Sequence, residues 1–214
     1  MEKESPDVMK DIPPLPKTTL EDLIGKKFLK KKSTLSDKDK ETRFITEDCD
    51  LTEFATCKFV LLFFSAGWCY PCHDFLQVLK DFYSEVNIDQ KVIEVIYVTD
   101  DHNDQDFKDN YAKMPWLTFP YSSPMHENLK KRFEIIGVPM VLVLDAETGF
   151  LITKKGRKDI FDIGVNCLRN WREDMPNAMK KEAFLRHGKT IVDARLAEEA
   201  RKKKEEEDRL KENE

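Results

Sequence analysis

The chain predicts a mixed three-layer α/β domain with a polar tail at each end. Three observations carry this. Two apolar runs of strand length, Phe59–Phe64 and Val92–Val98, are continuous enough to be buried on both faces of a sheet. The segments after them return apolar residues at helical spacing. A third run, Met140–Leu144, passes through Asp145-Ala146-Glu147-Thr148-Gly149 into Phe150–Thr153, which reads as an antiparallel hairpin. Strands separated by helices, then a hairpin and a last helix, bury their apolar faces as an α/β/α sandwich with a mixed central sheet.

Taken in order, residues 1–22 carry Pro6, Pro13, Pro14 and Pro16 among polar residues and read as a disordered or extended lead. Pro13-Pro14-Leu15-Pro16 holds a minimal Pro-x-x-Pro, a match too short to assign a partner. Lys26–Lys32 reads as an edge strand with Phe28 and Leu29 buried and lysines guarding the edge. A nuclear-import or anionic-surface patch is the competing reading. Ser33–Glu47, dense in charge, reads as a surface loop. Phe75, Leu76, Leu79, Phe82 and Val86 mark a helix, and Asp104–Tyr111 another. Met114-Pro115-Trp116-Leu117 ends the latter, because proline cannot continue a helix. His126–Phe133 is a further short helix. Phe161, Val165, Leu168 and Trp171 mark a closing one. The domain is set at 23–175, and 176–214 reads as a charged helical extension. Leu196 and Leu210 alone do not supply the heptads of a coiled coil.

A chain of 214 residues can bury a substantial core. Its net charge of -5 gives no reason to expect nucleic acid. The start, Met1-Glu2-Lys3-Glu4-Ser5-Pro6, has no apolar stretch of the secretory kind. No run approaches the roughly 18 apolar residues of a membrane helix, and there is no Asn-x-Ser/Thr acceptor. The expectation is a cytoplasmic protein, with the nucleus as a second compartment and no membrane partner. Structural disulfides are rare there, and paired cysteines tend to be catalytic or metal-binding.

Such a pair is present at Trp68-Cys69-Tyr70-Pro71-Cys72, between a buried strand and an amphipathic helix. Disulfide exchange needs an accessible thiolate to attack and a second thiol to release the mixed disulfide. A helix beginning at the motif puts Cys69 at its N-terminus, where free amides and the helix dipole favour a thiolate. Cys72 then lies one turn inside, shielded and within reach. Cys69 is therefore the attacking sulfur and Cys72 the resolving one. Pro71 suits a first helical turn, and Trp68 offers an apolar cover. The helix end contributes about 0.3–1 kcal/mol, less than the roughly 1.4 kcal/mol of one pKa unit, so stronger activation needs hydrogen bonds or a cation. His73 is a candidate cation, or a solvent-facing helix residue. Cys69-Tyr70-Pro71-Cys72-His73 also matches covalent haem attachment, which usually accompanies export. Zinc would need Cys69, Cys72 and His73 with Cys49 or Cys57, whose spacing is wrong for a second paired cluster. No metal is expected. Cys49 and Cys57 read as small buried hydrophobes, with a second disulfide or a regulatory thiol as the alternatives, and Cys167 as core.

Phe64-Ser65-Ala66-Gly67-Trp68-Cys69-Tyr70-Pro71-Cys72 resembles the active-site segment of the thioredoxin superfamily, in its tryparedoxin and nucleoredoxin branch. Further matches are Val98-Thr99-Asp100-Asp101, Ala112-Lys113-Met114-Pro115-Trp116-Leu117, Pro120-Tyr121, Gly137-Val138-Pro139 and Ile152-Thr153-Lys154-Lys155-Gly156-Arg157. The resemblance covers about Leu23 to Trp171 and implies a thioredoxin-like three-layer sandwich. It implies a cis Val138–Pro139 bond, with Pro139 beside the sulfurs and the Val138 backbone pairing with an extended client. It also implies Trp116 near the active-site surface, where a core aromatic is the other reading. Tyr70 departs from the branch's usual proline. Phe63 stands where thioredoxins often carry a buried acid, which leaves Glu94 and Asp100 as candidates for deprotonating Cys72.

The expected function is a thiol–disulfide oxidoreductase that reduces protein disulfides. Its redox group is its own Cys69–Cys72 pair, with no bound cofactor. The sequence carries no flavin or nicotinamide signature, so a separate reductase or a small thiol supplies electrons. The alternative is a redox-sensitive binding module of the nucleoredoxin type.

Overall fold

The structure, a computed structural model, describes residues 19–32 and 46–175. The Pro-rich lead up to Pro16 and the charged extension 176–214 lie outside the described residues. Six apolar residues in a row give β3 (Phe59–Ser65) no polar face, and all seven of its residues are buried. It pairs in parallel with β4 (Ile93–Thr99), from Phe59 opposite Ile93 to Ser65 opposite Thr99. On its other side it pairs antiparallel with β6 (Met140–Asp145). The chain turns at Gly149, whose φ is 70°, into β7 (Leu151–Thr153), which completes the hairpin. Beyond β4, β5 (Leu117–Thr118) is parallel and β1 (Phe28–Lys31) antiparallel to its neighbour. With β2 (Thr46–Cys49) the open mixed sheet has seven strands in the order β2-β1-β5-β4-β3-β6-β7.

Side chains alternate across β3, and the two cores follow that alternation. Phe59, Leu61 and Phe63 belong to one core. With them are Phe75, Leu79 and Phe82 of α2 (Tyr70–Val86), Tyr111 of α3 (Asp104–Tyr111) and Ile160 of α5 (Gly156–Ile163). Val60, Leu62 and Phe64 belong to the other, with Ile24 of α1 (Leu20–Ile24) and Leu129 of α4 (Met125–Phe133). The result is the predicted α/β/α sandwich.

Three expectations change. The lysine-bearing β1 is internal, because β2 covers it from Phe28↔Cys49 to Lys31↔Thr46. Its polar Thr-Glu-Asp-Cys sequence is what an edge strand needs, and nothing in it alternates. Leu29 is only half-buried. The folded body also starts before residue 23. Thr19 caps α1 in a capping box with Asp22, and Leu20, Leu23 and Ile24 are buried. Finally, Phe161 is 70% exposed. Gly164, at a φ of 53°, ends α5 and a 3-10 turn over Gly164–Asn166 shifts the phase. Ile160 faces the core in its place, while Val165, Cys167, Leu168 and Trp171 pack there as predicted.

Candidate active site

The site forms where β3 hands the chain to α2. Residues 66–68 leave the sheet, and Cys69 is the N-cap of α2 with extended backbone (φ −91°, ψ 103°). Pro71 lies in the first turn, where its missing N–H has no helical partner to lose. Cys69 and Cys72 are joined by a disulfide, with Cα atoms 5.3 Å apart. Cys69 keeps 5% exposure and Cys72 1%, so Cys69 is the less buried of the two. Both pack with Ala66 and Val138. Cys69 Sγ lies 3.7 Å from the Val138 carbonyl oxygen, and the Val138–Pro139 bond is cis.

The loop is held from below and from the side. Asp101 is buried and accepts the Gly67 backbone N–H at 2.6 Å. Its other carboxyl oxygen accepts the Thr99 hydroxyl at 2.8 Å and the Tyr97 hydroxyl, which in turn accepts from Asn110 Nδ2. The Trp68 indole N–H donates to the Asp100 carbonyl at 3.0 Å, and its exposed ring stacks on His102 with centroids 5.6 Å apart. Tyr70 is exposed beside it. His73, one residue past Cys72, is exposed on α2. Sequence reading missed the Asp101 network and His102. The signal was there in Thr99-Asp100-Asp101-His102, polar residues at the carboxyl end of a buried strand next to the cysteines.

Sequences and structures of known proteins share this arrangement. The sequence model of a family described as thioredoxin-like matches residues 57–150. Tryparedoxin from Trypanosoma brucei brucei is 38% identical over 107 residues, spanning 49% of this chain and 73% of that one. The chain belongs to the thioredoxin-like oxidoreductases. The solved tryparedoxin II from C. fasciculata has 31% identity and a TM-score of 0.56, covering 67% of this chain and 91% of that one. A probable nucleoredoxin 1 from Arabidopsis thaliana is 35% identical over 100 residues, which is 47% of this chain but only 17% of the relative.

Within the thioredoxin-like frame, some sequence assignments move. Trp116 is 1% exposed, packed edge-on against Phe63 and Tyr83 in the core, so it is no client surface. The tight turn after α3 and the pairing of β5 carry it inward. Glu94 is remote from the sulfurs. It lies opposite Val60, five positions along β4 from Thr99, or about 17 Å. There it binds Lys91, Tyr83 and the Val95 amide. The Asp100 carboxyl is paired with Lys130 at 2.5 Å. Cys57 precedes β3 whereas Cys69 follows it, so the zinc set of Cys69, Cys72 and His73 with Cys49 or Cys57 is not assembled. Cys49, Cys57 and Cys167 are free thiols. Burial, then the charge of Glu53, pushes Cys49 up to about 11. Burial, then Glu94, pushes Cys57 up to about 12, and burial, then Asp159, does the same to Cys167. Among the described residues, no helix is long and apolar enough to cross a membrane.

Proposed function

We propose that this protein reduces disulfides in other proteins through Cys69 and Cys72. The observation that carries the reading is the Cys69–Cys72 bond at the start of α2, with the outer sulfur beside the Val138 carbonyl. In the reduced protein, the Cys69 thiolate attacks one sulfur of the client disulfide. A Cys69–client bond forms, and the other client sulfur leaves as a thiolate that takes a proton. Cys72 then attacks Cys69, the internal disulfide forms, and the second client thiol is released. Two electrons pass to the client. A separate dithiol reductase or a small thiol returns them, so the cycle needs no bound cofactor. The thiols pushed up by burial do not compete, since a thiolate is the nucleophile.

A cytoplasmic setting, with the nucleus as a second compartment, fits the three free cysteines, which persist where thiols are kept reduced. Reduction of insulin by the purified protein tests the reading. Wild type should precipitate insulin B chain in the presence of dithiothreitol, and Cys69→Ser should fall to the rate of dithiothreitol alone. Equal rates for the two proteins would refute it.

A further inference from the structure

A cleft lies against Val138, whose carbonyl oxygen is 3.7 Å from Cys69 Sγ. It has a volume of about 190 Å³, and its apolar walls include Phe64, Val98, Ile136 and Val138. For scale, a protein cavity of roughly 150 Å³ takes a benzene ring, so this one accommodates a single large side chain. Val138 belongs both to the cleft and to the contact with Cys69 Sγ. A client whose disulfide sits on Cys69 therefore has a neighbouring residue at the opening. Ile136, 98% exposed, forms an apolar lip.

The charged part of the cleft is Asp100 and Lys130. The Lys130 ammonium is already held by two carboxyl groups, Asp100 at 2.5 Å and Glu127 at 3.1 Å. Counting formal charges, two carboxylates and one ammonium leave a surplus of one negative charge. Asp100 Oδ2 accepts no hydrogen bond from the described residues, since the lysine takes Oδ1. An anionic tip would meet the Asp100 carboxylate and an ammonium already engaged by Asp100 and by Glu127, which lies outside the cleft lining. A cationic tip finds an open acceptor, while its aliphatic stem lies along Ile136 and Val138.

We propose that this cleft is a specificity subsite for a lysine or arginine flanking the attacked cysteine of the client, with Asp100 receiving the cation. The proposal rests on the disulfide-reductase reading above and adds the substrate class. It is tested with peptides that differ only in the residues on both sides of one cysteine, lysine, leucine or glutamate, each presented as a mixed disulfide with 2-mercaptoethanol. Hydroxyethyl disulfide, which has no flanking side chain, is followed in parallel. The expected result is that kcat/KM for the lysine peptide exceeds that for the glutamate peptide by about tenfold, with the leucine peptide between them. Asp100→Asn should bring the lysine-to-glutamate ratio towards one, and Lys130→Gln should raise it. The ratio is taken within each variant, so a partial loss of folded protein cancels. Turnover of hydroxyethyl disulfide with no preference among the peptides, a preference for leucine or glutamate, or an Asp100→Asn ratio equal to wild type would overturn the subsite alone. No turnover of any disulfide would overturn the oxidoreductase reading and the subsite with it.

Discussion

Five cysteines share one chemistry in this chain, and position separates them. Cys49, Cys57 and Cys167 are pushed up to between about 11 and 12, chiefly by burial. Cys69 instead caps the amide-rich start of a helix, where a thiolate is favoured. Burial has a second consequence at His126. The Thr99 N–H donates to its Nδ1 at 3.1 Å, so the proton sits on Nε2 and is donated to the Pro120 carbonyl, also at 3.1 Å. That arrangement needs a neutral ring. Burial pushes its pKa down to about 4, against the opposing pull of the Pro120 carbonyl. The unfolded chain protonates this histidine near 6.5, so between about pH 6.5 and 4 the unfolded state binds the extra proton. Stability attributable to this residue is therefore present above that window and falls as pH falls through it, by on the order of 3 kcal/mol. Urea unfolding at several pH values should show wild type losing stability more steeply over that window than His126→Asn. Parallel curves would contradict this.

At the scale of elements, α5 lies so close to β6 that its first residue has no room for a side chain. A Cβ on Gly156 would sit 2.8 Å from Val143 Cγ2 and 2.9 Å from the Val141 carbonyl oxygen. Gly156→Ala should cost about 1–3 kcal/mol of stability by overpacking, although alanine is the better helix former. Chemical denaturation checks this, and an unchanged or raised midpoint would show that α5 can shift freely. Nothing in the sequence marks that approach, because it depends on how two elements meet. The elements themselves were legible wherever the local pattern was strong. Both apolar strands follow from continuous apolar runs, the hairpin from the turn at Asp145–Gly149, and the helices at Asp104–Tyr111 and Met125–Phe133 from helical segments bounded by breakers. β2 was not, since Thr46–Cys49 owes its strand to hydrogen bonds with β1 rather than to an apolar face. α1 was hidden by its length of five residues, though its capping box was written in Thr19-Leu20-Glu21-Asp22. In the closing segment only Phe161 was misplaced, because one glycine, Gly164, resets the register between Ile160 and Cys167, while Val165, Leu168 and Trp171 pack against the core as their spacing predicts.

For the whole molecule, parallel pairing of β3 with β4 brings Asp100 and Asp101 to the same end of the sheet as the cysteines. Antiparallel pairing with β6 brings Val138 and Pro139 there from the other side. The cysteine pair was legible because its chemistry is local, a spacing of three residues at a strand-to-helix junction. The supports from Asp101, Tyr97 and Asn110, and the charge balance of Asp100, Glu127 and Lys130, were not, because topology assembles them from separate segments. The central claim is that Cys69 attacks and Cys72 resolves. It is tested most directly by incubating reduced Cys72→Ser with oxidised insulin and mapping the covalent products by mass spectrometry. The expected result is an insulin chain linked through a mixed disulfide to Cys69, accumulating because no second thiol releases it. Linkage to Cys49, Cys57 or Cys167 in its place, or no adduct at all, would contradict the assignment.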